Sequence, residues 1–590
     1  MAREKGQIGL RIAARSRPEK GSFDYRSASV TRWIRELPVG NIGQCARHVY
    51  EALHEVNRLE IPWRERYQLL ELMREPVHYV QSSLLSRFSG LSFPLPDKSR
   101  KIAMLTRALY DEMALGYKTA IEEMLGNSFL NRDNKILTIL IHRAVRYLSQ
   151  SMLTCYRTYT PHPHDIWFEL HLLYLYAEHK NIYQNPVQDK HNALMAESSI
   201  ARVYKQILLL ALTSPYRLRQ GEAETVYDAL ARWAGHAHII PYNAPSASTA
   251  LFVVHMDSDT PPDYKTFDHR DCNTELCRLV DTQQLSRILQ DALEHEEKGE
   301  SGSPLRPGLL RLLIRTWSVA PRRNFSRNNR HSTIEVVVGT AGLHRALAHE
   351  LPEPFEAGKP ASYASRNVTT VAQKSADDVW NIFSSEKMKS NYEHYRAMNE
   401  EDEKGVEANG TKSETWQICN ESAGGYRLAL DAAHTARVQV GELVGLRHNS
   451  DSDKWQVGVI RWLRQSPEGE LEVGVQTLAP EALPVMARNR HAGGKAGEYQ
   501  YALLLPEIPV LKQPASLIAP TLLFQPGDAL TLRMPANKLK IMLRERLQDS
   551  GNFVQFLFDA AEQAAQHAEQ GQEPSATKPG DALGSVWEVL

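Results

Sequence analysis

The sequence has few cysteines and no long apolar run, and both shortages exclude classes of protein. Its 590 residues include five cysteines, an odd number without framework spacing, which is typical of reduced thiols inside a cell. The longest apolar run, near Ile207–Leu212, is too short to cross a bilayer. The opening Met-Ala-Arg-Glu-Lys-Gly lacks the apolar core of a secretory signal. These absences predict a soluble, cytoplasmic protein with no membrane span.

The sequence also lacks a recognisable catalytic or metal-binding arrangement. His162, His164 and Asp165 lie together, but a metal site needs further ligands at a defined spacing. We interpret this stretch as a helix entrance capped by Asp165. Cys272 and Cys277 have no second ligand pair. We therefore expect no enzyme activity, no catalytic residues, no metal and no cofactor.

One long stretch of the chain has no negatively charged residue. The whole chain is balanced, with 69 Lys and Arg against 70 Asp and Glu, which argues against a protein that binds bulk polyanions or a specific nucleic acid. Between Ser303 and Thr333, however, there is no Asp, Glu or Lys. The stretch contains seven arginines: Arg306, Arg311, Arg315, Arg322, Arg323, Arg327 and Arg330.

The use of arginine without lysine indicates recognition of a ligand with a defined pair of hydrogen-bond acceptors, and not of negative charge alone. The planar guanidinium bonds two acceptors at once and stacks on aromatic faces. Guanine offers such a pair, O6 and N7. Arg323-Asn-Phe-Ser-Arg327, an R-x-x-x-R pattern, therefore suits a ligand that has guanines and phosphates. The alternatives are a basic linker or a nonspecific nucleic-acid contact.

A second short motif, Asn420-Glu-Ser422-Ala-Gly424-Gly425, has the pattern N-x-S-x-x-G. Asn420 and Ser422 can both donate and accept hydrogen bonds. Gly424 and Gly425 permit positive φ and a close backbone approach. Such a cluster is often only a turn, so its surroundings decide the interpretation.

Short strand patterns surround this motif. They are β-branched or aromatic, roughly alternating and separated by turn residues, which predicts an antiparallel barrel or sandwich. The patterns are 333–339, 416–419, 426–430, 441–447, 455–462 and 471–475.

Together, the two motifs and these strands, from about Trp317 to Leu478, resemble the PilZ domain, a β-barrel by which bacterial proteins bind cyclic di-GMP. The resemblance implies that Arg323 and Arg327 hold guanine edges and phosphates. It assigns Arg322 and Arg330 to stacking or added charge.

The same resemblance gives the second motif a role. Asn420 and Ser422 would bond the other guanine and the ligand backbone, while Gly424 and Gly425 allow close approach. One departure is a long insertion, residues 343–414, between the two motifs. The entropic cost of closing a loop rises only with the logarithm of its length, so the barrel can tolerate the insertion.

The N-terminal half is helical by pattern. Apolar residues fall three or four apart from Ile102 to Met124, which predicts a helix that Asp97 begins and Gly126 ends. We expect a multidomain α+β protein with an irregular α-helical bundle or solenoid followed by a PilZ-like antiparallel β-barrel. The expected division is a helical domain over 1–234, a small β insertion with a helix or linker over 235–302, the PilZ-like barrel over 303–510, a β extension over 511–559 and a disordered tail over 560–590.

We expect a bacterial cyclic di-GMP effector that acts on an unidentified protein partner through its helical domain, in motility, attachment or exopolysaccharide control. Two alternatives remain open: a nucleic-acid-binding protein that uses the arginines, and a scaffold or chaperone-like protein with a ligand-free barrel. The strands after 499 either extend the barrel or form a second β-layer. The apolar Val586–Leu590 segment is a docking peptide or a strand of its own.

Overall fold

A computed structural model describes most of the chain. The described residues are 8–126, 133–192, 194–246, 248, 250–264, 273–299, 303–318, 328–350, 413–430, 436–448, 454–466, 469–489, 498–508, 513–534 and 538–560, without the side chains of 328–331. They fall into two compact units. The first contains the described residues up to Leu91 and from Leu95 to Ser318, and the second contains Ser92–Pro94 and those from Asn328 to Ala560.

Ten α-helices build the first unit: α1 (Ser27–Arg35), α2 (Ile42–Val56), α3 (Trp63–Leu85), α4 (Asp97–Gly126), α5 (Asn134–Arg157), α6 (Ile166–His179), α7 (Ile200–Leu212), α8 (Glu222–Trp233), α9 (Gln283–Glu297) and α10 (Pro307–Ser318). The same unit has six short strands: β1 (Val187–Gln188), β2 (Glu197–Ser198), β3 (His238–Pro241), β4 (Leu251–His255), β5 (Asp263–Tyr264) and β6 (Cys277–Asp281). Strands β3 to β6 form one sheet in the order β3-β6-β4-β5.

The predicted helical stripe is confirmed in α4. The helix begins at Asp97 and ends at Gly126 as expected. The residues of the stripe are all buried: Ile102, Leu105, Leu109, Met113, Tyr117, Ile121 and Met124. Among the described helices, none has both the length and the apolar character that a membrane crossing requires.

A buried carboxylate ties β1 to the helices around it. Asp189, one residue after β1, is completely buried and forms ion pairs with Arg74 of α3 and with Arg143 and Arg146 of α5. Burial alone would raise the pKa of Asp189, but the three guanidinium groups outweigh it and lower the pKa below its usual value. Removing Asp189 would take this ion pair from the largely buried Arg146 and leave Arg74 and Arg143 with Glu71 as their carboxylate partner.

The entrance of α6 differs from the expected one. Asp165 has left-handed backbone geometry, and its side chain accepts no capping hydrogen bond. Asp259 caps the helix instead, because its carboxylate accepts from the backbone N–H groups of Asp165, Trp167 and Phe168. The prediction of Asp165 as the cap was wrong, since the capping group comes from a loop 94 residues away.

The second unit contains two closed six-stranded antiparallel barrels. The first has β7 (Asn328–Val338), β8 (Glu414–Ser422), β9 (Gly425–Leu430), β10 (Leu443–His448), β11 (Gln456–Gln465) and β12 (Leu471–Ala479), in the order β10-β11-β12-β9-β8-β7. The second has β13 (Leu483–Asn489), β14 (Gln500–Leu505), β15 (Ser516–Pro520), β16 (Ala529–Arg533), β17 (Lys538–Asp549) and β18 (Phe553–Ala560), in the order β13-β14-β15-β18-β17-β16.

The expected antiparallel barrel is therefore confirmed. Of the two arrangements left open for the later strands, the structure has the separate one, in which they close a barrel of their own with β13. Strand β13 is not predicted from the sequence, because its residues are mostly apolar without alternation and include Pro484.

Helix α11 (Thr340–His349) joins the two barrels into one core. It occupies the start of the predicted long insertion, whose residues 351–412 lie outside the described part. Its buried side chains share one apolar cluster with both barrels, including Leu343, Leu347, Val337, Leu443, Leu503, Leu505 and Phe553. The imidazole of His344 packs on Tyr501, with ring centroids 4.5 Å apart, and its Nε2 lies 3.2 Å from the Val485 carbonyl oxygen. Burial lowers the pKa of His344 to about 4, so this helix presents a neutral ring to the second barrel.

Candidate functional site

The N-x-S-x-x-G motif forms the tight hairpin between β8 and β9. Asn420 and Ser422 belong to β8, Ala423 and Gly424 form the turn, and Gly425 begins β9. The Ser422 hydroxyl donates to the Gly425 carbonyl oxygen at 3.2 Å. The Gly424 carbonyl oxygen accepts from the N–H of Thr477 at 3.1 Å. The motif is thus a turn as well as a candidate ligand site.

Gly425 is required by the barrel itself. Its φ is +144°, and a Cβ at this position would lie 2.0 Å from the carbonyl oxygen of Val475 on β12. A real Cβ cannot approach backbone so closely, and side chains rarely adopt this φ. The glycine therefore permits close packing of the hairpin on β12, whatever it also permits for a ligand.

The two polar side chains of the motif lie on the outer face of the barrel. Asn420 is opposite Arg427 in the register between β8 and β9, and Ser422 is opposite Gly425. Opposite residues share a face of the sheet. Tyr426 and Leu428, on either side of Arg427, are buried, so Arg427 and Asn420 lie on the outer side.

A β-bulge produces this outward orientation. Trp416 and Ile418 are buried, and simple alternation along β8 would turn Asn420 inward with them. Between Ile418 and Asn420 the register shifts, because two steps on β8 match one step from Leu428 to Arg427 on β9. The extra residue, Cys419, reverses the alternation and turns Asn420 outward.

The arginine motif can be placed only in part. Arg322, Arg323 and Arg327 lie outside the described residues, and only the main chain of Arg330 is described, within β7. Asn328, which directly follows Arg327, is opposite Glu421 in the pairing of β7 with β8. The structure therefore places Asn328, the first residue after the R-x-x-x-R segment, beside the N-x-S-x-x-G hairpin, about 90 residues away in sequence.

Arg330 lies at a second irregularity of the same ladder. Three steps on β7, from Asn329 to Ser332, match two steps on β8, from Asn420 to Ile418. Bulges of this kind re-aim side chains and are frequent beside binding sites. Two bulges thus flank β8 where the motif begins.

One candidate residue escaped the sequence interpretation. Arg427 is the outward neighbour of Asn420, and its guanidinium donates to the Glu472 carboxylate on β12 at 2.5 Å. This hydrogen bond raises the pKa of Arg427 above its ordinary value. Its side chain is 39% exposed, so a ligand on this face can reach it. The signal in the sequence was the alternation of Tyr426, Arg427 and Leu428, which places the arginine outward.

Within the described part of the chain, one group of side chains has the spacing of metal ligands. The ligand atoms of His164, Asp165 and Asp259 lie within 4.8 Å of one another. Both carboxylates already have partners: Asp259 caps α6, and Asp165 pairs with Arg11. Exposed acidic groups of this type are common without a metal, so the cluster gives no reason to assign one.

Replacing Gly425 with alanine should destabilise the first barrel by about 2 kcal/mol or more, because backbone strain and a backbone clash combine. Gly527→Ala is the matched control: Gly527 also has a positive φ, but nothing lies within 4 Å of its Cβ position. We expect about 1 kcal/mol there. Urea unfolding of both variants measures the difference, and equal losses would contradict a packing role for Gly425.

Comparison with known proteins is consistent with this geometry. Three family models match in succession: "Cyclic-di-GMP receptor FimW, N-terminal domain" over residues 28–244, "Cyclic-di-GMP receptor FimW, middle PilZ domain" over 251–484, and "FimW C-terminal beta-barrel domain" over 485–561. The cyclic-di-GMP receptor FimW of Pseudomonas aeruginosa is 27% identical over an alignment of 618 positions that covers all of both chains. No solved structure matches. The resemblance to PilZ proteins is confirmed, and the chain belongs to the FimW family of PilZ-containing cyclic di-GMP receptors, which are binding proteins and not enzymes.

Proposed function

We propose that this protein binds cyclic di-GMP on the outer face of its first barrel. The site lies between the β8–β9 hairpin and the segment from Arg322 to Arg330, which we call the arginine segment. The observation that carries the proposal is the register of β7 on β8, which puts Asn328 opposite Glu421. We infer that Arg327, which precedes Asn328 in the sequence, contributes to a site with the outward-facing Asn420 and Ser422. Family membership supports the same ligand.

The roles follow from the chemistry of the side chains. Arg323 and Arg327 bond the guanine O6 and N7 atoms and the phosphates, as arginine commonly does. Asn420 and Ser422 bond the second guanine and the ligand backbone. Glycines at 424 and 425 keep the hairpin free of side chains that would hold the ligand away.

Further cations complete the proposed site. Arg322 and Arg330 add stacking or positive charge beside the two principal arginines. Arg427 adds a donor next to Asn420, in a position fixed by Glu472. A ligand with two phosphates can share this guanidinium with Glu472, since the fork has five N–H groups.

We also propose that ligand binding is relayed to a protein partner. The arginine segment connects α10 of the helical unit to β7 of the barrel. A ligand that orders this connection favours one arrangement of the chain over others, provided it binds that arrangement more tightly. The helical unit would then present a partner surface in the cytoplasm, in control of motility, attachment or exopolysaccharide.

Cyclic di-GMP should bind with a dissociation constant in the micromolar range or below, about −8 kcal/mol. Cyclic di-AMP should bind much more weakly, because adenine replaces the O6 acceptor with an amino donor. Calorimetry of the purified protein with both dinucleotides measures this. Equal affinities would refute guanine recognition. No binding of either would favour a scaffold, and base-independent binding that falls steeply with salt would favour a nucleic-acid contact.

Arg323→Ala and Arg327→Ala should each weaken cyclic di-GMP binding by roughly 1.5–3 kcal/mol, the range for hydrogen bonds to charged groups. Asn420→Ala and Arg427→Ala should lose about 1 kcal/mol each. The control is Lys454→Ala, a cation of the same barrel that bonds Glu481 instead. Calorimetry gives the affinities and thermal melting the stability. A control variant that loses as much affinity as the arginine variants would remove the site assignment.

Hydrogen exchange with and without cyclic di-GMP tests the relay. The like charges of the arginine segment repel one another in the free protein, and two phosphates neutralise them. Ligand should therefore slow exchange in residues 303–332 and change it in part of the helical unit. Changes confined to residues 328–560 would show that the nucleotide binds without switching the helical unit.

A further inference from the structure

The outer face of the second barrel carries a cluster of cations that has no part in the proposed nucleotide site. Arg533 on β16 is directly opposite Lys538 on β17. Thr531 is opposite Arg488 on one side and Lys540 on the other. The alternate residues Leu532 and Ile541 belong to the barrel core, so these cations face outward. We call Arg488, Arg533, Lys538 and Lys540 the basic face.

The basic face is electrostatically unbalanced within the described part of the chain. None of its four cations forms an ion pair with a described residue, whereas Arg544, farther along β17, pairs with Asp559 at 3.3 Å. Like charges directly opposite one another in a sheet are destabilising. In a chain whose net charge is −1, such a local excess suits an anionic occupant.

Apolar groups lie beside these charges. Met542, the next outward residue after Lys540 on β17, is 40% exposed. The guanidinium of Arg488 stacks over the ring of Tyr499, 4.6 Å from its centroid. A surface that mixes cations with a thioether and an aromatic ring fits an acidic peptide that also has apolar side chains.

The chain itself supplies a peptide of this kind at the right place. Ala560, the last residue of β18, is opposite Ile541, and the two strands are antiparallel. The chain therefore leaves β18 in the direction of Lys540 and Lys538. The segment that follows, residues 561–590, has five carboxylates against one lysine, Lys578. The carboxylates are Glu562, Glu569, Glu573, Asp581 and Glu588, and apolar residues are concentrated at Val586–Leu590.

We propose that residues 561–590 bind in cis to the basic face of the second barrel. The basic face extends from β17 to β13, and three strand spacings, about 14 Å, separate β18 from β13. About five extended residues of the segment can span this distance. A short tether of this kind gives an effective concentration in the millimolar range. A modest electrostatic affinity is then enough to keep the face occupied. The proposal is independent of cyclic di-GMP binding.

Amine acetylation of the full-length protein, followed by mass spectrometry, tests the proposal. The comparison is a variant without acidic side chains in the segment, in which Glu562, Glu569, Glu573 and Glu588 are changed to Gln and Asp581 to Asn. In the unchanged protein, Lys538 and Lys540 should react about tenfold more slowly than in this variant, because a millimolar effective concentration corresponds to about 90% occupancy of the basic face. Lys298, an exposed residue directly after α9, is the internal reference and should react equally in both proteins. High salt should abolish the protection.

Equal reactivity of Lys538 and Lys540 in the two proteins would overturn the proposal. So would protection that rises with protein concentration, because it would assign the face to a second copy. Protection that appears in both proteins only when a DNA duplex is added would assign it to nucleic acid. All five substitutions lie outside the barrel strands, so an unchanged melting temperature confirms that the fold is intact.

Discussion

The candidate site depends on one interaction, the antiparallel pairing of β7 with β8. These strands are separated in sequence by α11 and by residues 351–412, yet their hydrogen-bond ladder sets Asn328 opposite Glu421. The ladder therefore brings Asn328, the residue after the arginine motif, to the hairpin that carries the second motif. The cost of closing so long a loop is met by the apolar core of the barrel, because closure entropy rises only slowly with loop length.

The core that supports this ladder continues into the second barrel. Helix α11 packs its leucines against both barrels, and its buried His344 lies against β13 and β14. Strands that carry ligand-binding residues need a rigid support, because small displacements weaken oriented hydrogen bonds. The second barrel provides part of that support through β13 and β14, and its basic face is the surface that we propose to bind residues 561–590.

The helical unit is stabilised in a different way. Its long helices bury continuous apolar stripes, but a wholly buried Asp189 with three arginine partners fixes the position of the hairpin between β1 and β2. A buried ionic network of this type adds little net stability and penalises alternative arrangements heavily. We infer that this region of the unit has a single well-defined conformation.

The sequence by itself determined most element types and the class of ligand, and it predicts the site residues. Periodicity located α4 with both its ends, alternation located most strands, and two short motifs indicated the ligand class. Tertiary structure decided what local patterns do not encode. Asp259 caps α6 from far along the chain. Strand pairing closed the later strands into a second barrel, whereas the sequence left an extension of the first barrel and a second β-layer both open. The clearest case is Asn420. Simple alternation along β8 would turn its side chain inward, as it does for Trp416 and Ile418. The bulge at Cys419, which arises from the pairing with β9, turns it outward. The alternation of side chains along a strand can be read from its sequence, whereas the register and the bulges depend on the partner strand.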